Sequence, residues 1–133
     1  MDKIVTALQG RQKATQRLTR KSPLFKTILN AVKEKKGENI VSLDLKKIDE
    51  AVADYFVLCE AQSSVQVKAI ADYITEQVSL VCNEKPYHIE KGTHWTLLDY
   101  VNIVVHIFQH DYREFYDLES LWEDAESMEH IND

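Results

Sequence analysis

The residues whose types could do catalytic chemistry are three aspartates and a serine that precedes a predicted helix. Nucleotidyl transfer needs a Gly-Ser loop at the phosphates and two carboxylates on one strand face to hold metal ions. Here the loop reads Ala-Gln-Ser-Ser, and Asp44, Asp54 and Asp99 form no D-x-D or D-x-E pair after the helix start. A nucleotidyltransferase-like enzyme is therefore the disfavoured function class.

Four histidines and two cysteines are the candidate metal ligands. The histidines lack the HExxH or i, i+4 helical spacing of a zinc site, and the cysteines form no CxxC pair. We expect no metal and no cofactor, and we interpret both cysteines as buried reduced thiols. These residues are His88, His94, His106, His110, Cys59 and Cys82.

The run from His94 to Trp122 is the most informative stretch, and its composition favours binding over catalysis. It holds both tryptophans and five of the ten other Phe and Tyr residues. Trp95 either belongs to the core or offers the large apolar contact area that anchors interfaces. Arg113 and Glu119 either form an internal ion pair that locks the last helix onto the sheet or contact a partner.

This run is predicted to begin with a β-hairpin over residues 94–109, with a tight turn near Val101. Asp99 either braces this hairpin or pairs with a basic residue of a partner. Alternation along the two strands places a mixed set of side chains on one face. That face carries Trp95, Leu97, Asp99, Val104, His106 and Phe108, with Trp95 opposite Phe108 and Leu97 opposite His106.

Three helical stretches are predicted from apolar spacing and capping signals. Residues 23–36 carry apolar side chains at helical spacing after a Ser-Pro opening. Ser63 begins the strongest helix, forms a capping box with Gln66, and the helix ends near Asn83. A last stretch, either broken or continuous, runs from residue 111 to about residue 125.

Further strands are predicted over residues 39–45, 54–60 and 86–90, and the proline in the last one favours a sheet edge. The order α-β-β-α-β-β-β-α predicts one α/β domain with a mixed sheet of about five strands and helices on both sides. We divide the chain into a basic N-terminal extension at 1–22, a domain at 23–125 and an acidic tail at 126–133.

Charge is unevenly distributed along the chain. Residues 1–22 hold six basic side chains and one acid, and the rest hold ten basic and twenty-one acidic ones. The two parts therefore carry +5 and −11 within a total of −6. An acidic domain repels nucleic-acid phosphates and is attracted to basic protein surfaces. We interpret residues 1–22 as a solvated tail, with a weak RNA contact left open.

The sequence gives a few indications of the cellular location and the oligomeric state. No apolar run approaches the roughly 18 residues that a membrane span needs. The first residues lack a signal-peptide core, and residues 1–21 are interpreted as an ordinary appendage rather than a transit peptide. We expect a cytoplasmic protein without a membrane partner. An apolar patch around Trp95 leaves monomer and homodimer both open.

The motifs DYFVLCEAQSS, HWTLLDYVNIVVHIF and REFYDLESLW resemble those of the ribosomal silencing factor family, RsfS, also called the Iojap family. The resemblance covers about residues 24–125 and implies a nucleotidyltransferase-like fold without cofactor or catalysis. It implies a repressor that binds the large ribosomal subunit through ribosomal protein fourteen and blocks small-subunit joining when nutrients are short. A large-subunit assembly factor using the same surface is the alternative.

The family motif departs from this chain at two places. The family's glycine in the hairpin turn is Val101 here, and valine is unfavourable at positive φ. Its Gly-Thr before the capping serine is Ala61-Gln62. The partner-binding residues that the hairpin and the motifs together predict are Trp95, Leu97, Asp99, Tyr100, Arg113, Tyr116 and Glu119.

Overall fold

A parallel pair of buried strands forms the centre of the sheet. Strands β2 (Tyr55–Ala61) and β5 (Ile103–Gln109) lie side by side, and every residue of β2 is buried. Both strands are nearly continuous apolar runs, as expected where helices cover both faces of a sheet. The computed structural model describes residues 18–49 and 51–131. Residues 1–17 of the predicted extension lie outside that range.

Four further strands complete a mixed sheet of order β3-β4-β5-β2-β1-β6. Strand β1 (Glu38–Asp44) is antiparallel to β2, and β4 (Trp95–Asp99) is antiparallel to β5. Strands β3 (His88–Lys91) and β6 (Glu126–His130) form the two edges. The mixed α/β sheet is confirmed, but it has six strands rather than about five.

The additional strand, β6, lies in the segment that the sequence indicated as an acidic tail. It pairs antiparallel with β1, with Glu126 opposite Asp44 and His130 opposite Ile40. Four of its five side chains are exposed, so backbone hydrogen bonds to β1 hold it rather than apolar burial. A strand held in this way shows no apolar alternation from which it could be predicted.

Two helices pack against each other and cover one face of the sheet. They are α1 (Pro23–Glu34) and α2 (Ser64–Cys82). Ser63 Oγ accepts a hydrogen bond from the Gln66 N–H at 3.1 Å, and Asn83 ends α2 in the left-handed conformation. The predicted positions of both ends of α2 are therefore confirmed.

A broken helix covers the opposite face, together with the loop between β1 and β2. Helices α3 (His110–Tyr116) and α4 (Leu118–Leu121) are separated by Asp117, whose φ is 46°. Trp122 packs edge-to-face on Phe56, with ring centroids 5.7 Å apart. The predicted last helical stretch is thus broken, and it ends at residue 121 rather than near 125.

The first described residues lie against the domain rather than in solvent. The Leu18 N–H donates to Asp54 Oδ2 at 3.0 Å, and Arg20 Nε donates to Ser42 Oγ at 2.9 Å. Ser42 Oγ also lies 2.8 Å from His130 Nε2 on β6. One hydroxyl group therefore joins the segment before α1 to the last strand.

The β4–β5 hairpin has the predicted register, but its turn is strained. Trp95 lies opposite Phe108, as the alternation predicted. Val101 has φ 71°, a region that is unfavourable for a β-branched residue. The Asn102 N–H donates to Tyr100 O at 2.9 Å, which is the hydrogen bond of a γ-turn. The unfavourable backbone conformation of this turn is thus concentrated at Val101.

Replacing Val101 by glycine should stabilise the fold. The left-handed conformation costs an L-residue roughly 1–2 kcal/mol. Glycine removes this cost but adds about 0.5–1 kcal/mol of unfolded-state entropy. We expect the free energy of unfolding in urea to rise by about 0.5–1 kcal/mol. Val101→Ala keeps a Cβ and should gain less, and a loss of stability in Val101→Gly would contradict the strained turn.

Candidate protein-interaction surface

A buried ion-pair cluster fastens α3 to the end of β2. Arg113 Nη1 donates to Glu60 Oε1 at 3.1 Å, and Arg113 Nε donates to Glu119 Oε1 at 3.1 Å. Arg113 Nη1 also donates to Asn39 O. Glu60 is 4% exposed and Arg113 is 9% exposed, so both charges need compensating partners within the cluster. The structure forms the internal Arg113–Glu119 pair, one of the two alternatives from the sequence.

Glu60 has a further partner in His110, whose Nδ1 hydrogen-bonds to Glu60 Oε2. Burial raises the pKa of Glu60, but hydrogen bonds to His110 and Asn39 and the charge of Arg113 outweigh it and hold the pKa below its usual value. The same hydrogen bond to Glu60 raises the pKa of His110. Sequence reasoning missed this role of Glu60, although an acid within the buried run YFVLCEA was an available signal.

An open depression of about 480 Å³ surrounds this cluster. Its walls come from the end of β2, from α3 and from the turn that follows α3. Five of its seven lining side chains are carboxylates, so the depression presents negative charge to solvent. We call these residues the acidic rim: Glu60, His110, Asp111, Arg113, Glu114, Asp117 and Glu119.

An aromatic layer lies behind the acidic rim on the same face of the sheet. Trp95 is 5% exposed and stacks on Phe108, with ring centroids 6.2 Å apart. Tyr116 is half-buried, and its ring centroid lies 5.8 Å from that of Trp95. Leu97 is fully buried beside them. Trp95 and Leu97 therefore support this surface from beneath, while Tyr116 reaches it.

The two remaining predicted residues lie at the hairpin turn. Asp99 is buried, and its Oδ1 accepts the Val101 N–H at 2.7 Å, so it braces the turn. Tyr100 packs into the other core, under α1 and α2. The structure thus brings five of the seven predicted partner-binding residues to a common face and places Tyr100 away from it. These five are Trp95, Leu97, Arg113, Tyr116 and Glu119.

His106 is wholly buried in the aromatic layer. Its Nδ1 accepts a hydrogen bond from Trp95 Nε1 at 3.3 Å, and its ring centroid lies 4.6 Å from that of Phe56. Burial lowers the pKa of His106 to about 3, so the ring is neutral near pH 7. This histidine therefore belongs to the core.

The other candidates from the sequence stay separate in space. Within residues 18–49 and 51–131, no three His, Cys, Asp or Glu side chains are close enough to hold a metal ion. Burial raises the pKa of the Cys59 thiol to about 12, which makes this thiol unreactive. No helix in the described part of the chain is long and apolar enough to cross a membrane.

The six-stranded mixed sheet, with helices on both faces, defines a single α/β domain. Residues 18–133 match the family described as ribosomal silencing factor during starvation. The chain belongs to this family, RsfS, as its motifs implied. The family and its bacterial relatives are named as silencing factors, and these names describe no catalytic activity.

Individual relatives support the same assignment. The ribosomal silencing factor RsfS of Halalkalibacterium halodurans is 37% identical over 111 residues, which cover 80% of this chain and 91% of that protein. A crystal structure from Bacillus halodurans matches with a TM-score of 0.68 and 34% identity, covering 80% of this chain and 97% of that one. The mouse protein named Mitochondrial assembly of ribosomal large subunit protein 1 is 32% identical over 73 residues, covering 52% of this chain and 32% of that protein.

Removing the Arg113 guanidinium should destabilise the domain strongly. Arg113→Ala leaves His110 as the remaining partner of the buried Glu60 carboxylate, and breaking a buried ion pair costs about 3 kcal/mol at the lower end. Glu119 is more exposed, so Glu119→Gln should cost less than about 1 kcal/mol. Urea unfolding of both variants tests this difference. Equal losses in the two variants would contradict a special role for the Glu60–Arg113 contact.

The buried His106 should make the domain sensitive to acid. The folded-state pKa of His106 is depressed to about 3, whereas an unfolded histidine titrates near pH 6.5. Below pH 6.5 the unfolded chain therefore binds a proton that the folded chain excludes. This group alone should lower stability by about 1.4 kcal/mol per pH unit as pH falls toward 3.

Comparison with His106→Phe isolates this contribution from that of the carboxylates. Urea unfolding between pH 7 and pH 4 should show a shallower loss of stability in His106→Phe than in the wild type. Parallel curves would show that His106 is not excluded from protonation in the folded state.

Proposed function

We propose that this protein represses translation by docking on the large ribosomal subunit and sterically excluding the small subunit. The contact would be made through ribosomal protein fourteen of the large subunit. Membership of the silencing-factor family supports a role at the ribosome. Steric exclusion needs no catalytic group, only a complementary patch near the usual interface size. A protein acting in this way on free subunits is expected in the cytoplasm.

The acidic rim is the observation that carries this proposal. Ribosomal proteins are rich in basic surface, and opposite charges across an interface speed encounter and select the partner. Asp111 and Glu114 are exposed on α3, next to the buried Glu60–Arg113 pair that holds the helix in place. The rim therefore presents its charge from a rigidly positioned element.

The seven predicted residues take graded roles in this proposal. Tyr116 and Glu119 would contact the partner directly. Trp95, Leu97 and Arg113 would hold the backbone of this face in position from beneath, because they are buried. Asp99 and Tyr100 would shape the turn at the far end of the hairpin. Buried residues that have little contact with the partner would thus determine the shape of the contact surface.

Reversing the charge of the acidic rim should weaken binding to large subunits. In Asp111→Lys/Glu114→Lys we expect at least about a tenfold loss of affinity, with a smaller loss at high salt. Asp72→Lys/Glu76→Lys on α2 makes the same change in net charge and should bind as the wild type does. Co-sedimentation with purified large subunits at several salt concentrations measures the difference. Variants of surface charges test the contact better than Trp95→Ala does, because Trp95→Ala removes a buried ring.

Two outcomes would contradict the proposal. Equal binding by both charge-reversed variants would remove the acidic rim from the contact. No co-sedimentation of the wild type at moderate salt would remove docking on the large subunit altogether. Sedimentation of the protein alone also decides between monomer and homodimer. A salt-sensitive loss of binding on neutralising the exposed Lys21 would support an RNA contact by residues 1–22.

An assembly role is the second candidate, and the mouse relative favours it. That protein is named for mitochondrial assembly of the ribosomal large subunit. An assembly factor would use the same surface but would leave as the subunit matures. A silencing factor added to mature large subunits should block their joining with small subunits in a sucrose gradient. Unchanged joining, together with binding to immature particles, would favour assembly.

A further inference from the structure

A second pocket lies where α2 begins, on the face of the sheet that α1 and α2 cover. Its volume is about 350 Å³, which is within the range of small-molecule sites, and its lining is mostly apolar. It shares no lining residue with the acidic rim. We call it the α2-start pocket, and we define it by Val65, Val67, Lys68, Ala71, Lys91 and Thr96.

The first turns of α2 and the β3–β4 hairpin form the walls of this pocket. Val67 and Ala71 are buried and lie one turn apart on α2, where they form an apolar wall. Thr96 lies opposite Lys91 in the antiparallel β3–β4 ladder, so both side chains point to the face that α2 covers. Val65 is 77% exposed, so the pocket opens to solvent beside it.

A buried hydroxyl group without a partner among the described residues lies in this pocket. Thr96 is 5% exposed and lines the pocket, and its hydroxyl forms no hydrogen bond to any residue in 18–49 or 51–131. A threonine hydroxyl can donate one hydrogen bond, and burying it without a partner is unfavourable. The pocket is therefore suited to a ligand that brings an oxygen acceptor to Thr96.

The charges around the pocket favour a negatively charged ligand. Ser64 and Val65 are the first two residues of α2, so their backbone N–H groups have no acceptor within the helix and carry the positive end of its dipole. Lys91 adds a full positive charge to the lining. Asp72 also lines the pocket, but Lys68 Nζ lies 2.8 Å from its Oδ2 and compensates it. An anion is therefore stabilised at this end of α2.

We propose that the α2-start pocket binds a small carboxylic acid with an apolar body. The carboxylate accepts a hydrogen bond from the Thr96 hydroxyl and lies in the positive field of Lys91 and the start of α2. The hydrocarbon part packs on Val65, Val67 and Ala71. A bare phosphate ion matches the charge of the pocket but leaves this apolar wall uncovered, so an amphiphilic acid fits better. This site is independent of the proposed ribosome docking.

Titration of the full chain with phenylbutanoate, followed by NMR, tests this site. The amide chemical shifts of Ser64, Val65 and Thr96 should change, with a dissociation constant of about 1 mM or tighter, as expected for a ligand of this size. Phenylbutanol carries the same apolar body without the charge, and inorganic phosphate carries charge without the body. We expect each of them to bind at least about tenfold more weakly than phenylbutanoate.

Two variants separate the hydroxyl from the charge. Thr96→Val keeps the shape of the side chain and should weaken phenylbutanoate binding about tenfold, because the lost hydrogen bond goes to a charged group. Lys91→Gln should weaken it about threefold at low salt and less at high salt. Lys85→Gln removes the same charge from the exposed loop between α2 and β3, outside the pocket, and should bind as the wild type does.

The amide spectrum of each ligand-free variant shows whether the domain is folded, and Lys91→Gln carries the test if Thr96→Val unfolds. The proposal is overturned if about 10 mM phenylbutanoate, roughly tenfold above the expected dissociation constant, changes no shift near the start of α2. Equally tight binding of phenylbutanol would show that the pocket recognises only the apolar body, and this result would also overturn it. Shift changes centred on the acidic rim would place the ligand elsewhere, with the same consequence.

Discussion

The parallel pairing of β2 with β5 is the constraint on which the rest of the structure depends. At its start, Asn102 O accepts both the Asp54 N–H at 2.8 Å and the Tyr55 N–H at 3.1 Å, and this sets the register. Parallel neighbours need a long crossover, so α2 must return across one face of the sheet. The broken helix after β5 then covers the other face. The acidic rim forms where both strands end, and Glu60 lies beside Phe108 because of that register.

A single buried carboxylate couples this core to the surface. Glu60 lies at the end of an otherwise apolar strand, where a lone charge would be costly. Arg113 and His110 compensate it only if α3 lies in one position along the sheet. The ion pair therefore determines the position of α3 and is not itself a large source of stability. The position of α3 in turn fixes the positions of its exposed acidic side chains. The packing of the core is thereby linked to the shape of the proposed contact.

Sequence patterns predicted the parts of this fold that depend on residues close together in the chain. Alternation over residues 94–109 gave the hairpin register, and the capping signals at Ser63 and Asn83 located both ends of α2. Strand β6 was missed because its polar residues bury little and its partners lie more than eighty positions earlier. The motif pointed to Arg113 and Glu119. It could not reveal the Glu60 contact, which spans 53 positions. Burial of Trp95 likewise depends on Tyr116 packing over it.

The place of β6 has a consequence for how the chain folds as it is made. Strand β1 has one edge against β2, and its other edge stays open until residues 126–130 have been synthesised. The nascent domain therefore carries an unpaired strand edge for most of its synthesis, a surface on which other extended chains can add. Closure by β6 is a late event of high sequence separation, so it should be among the slower steps of folding. The acidic residues of β6 then discourage a second chain from adding beyond it.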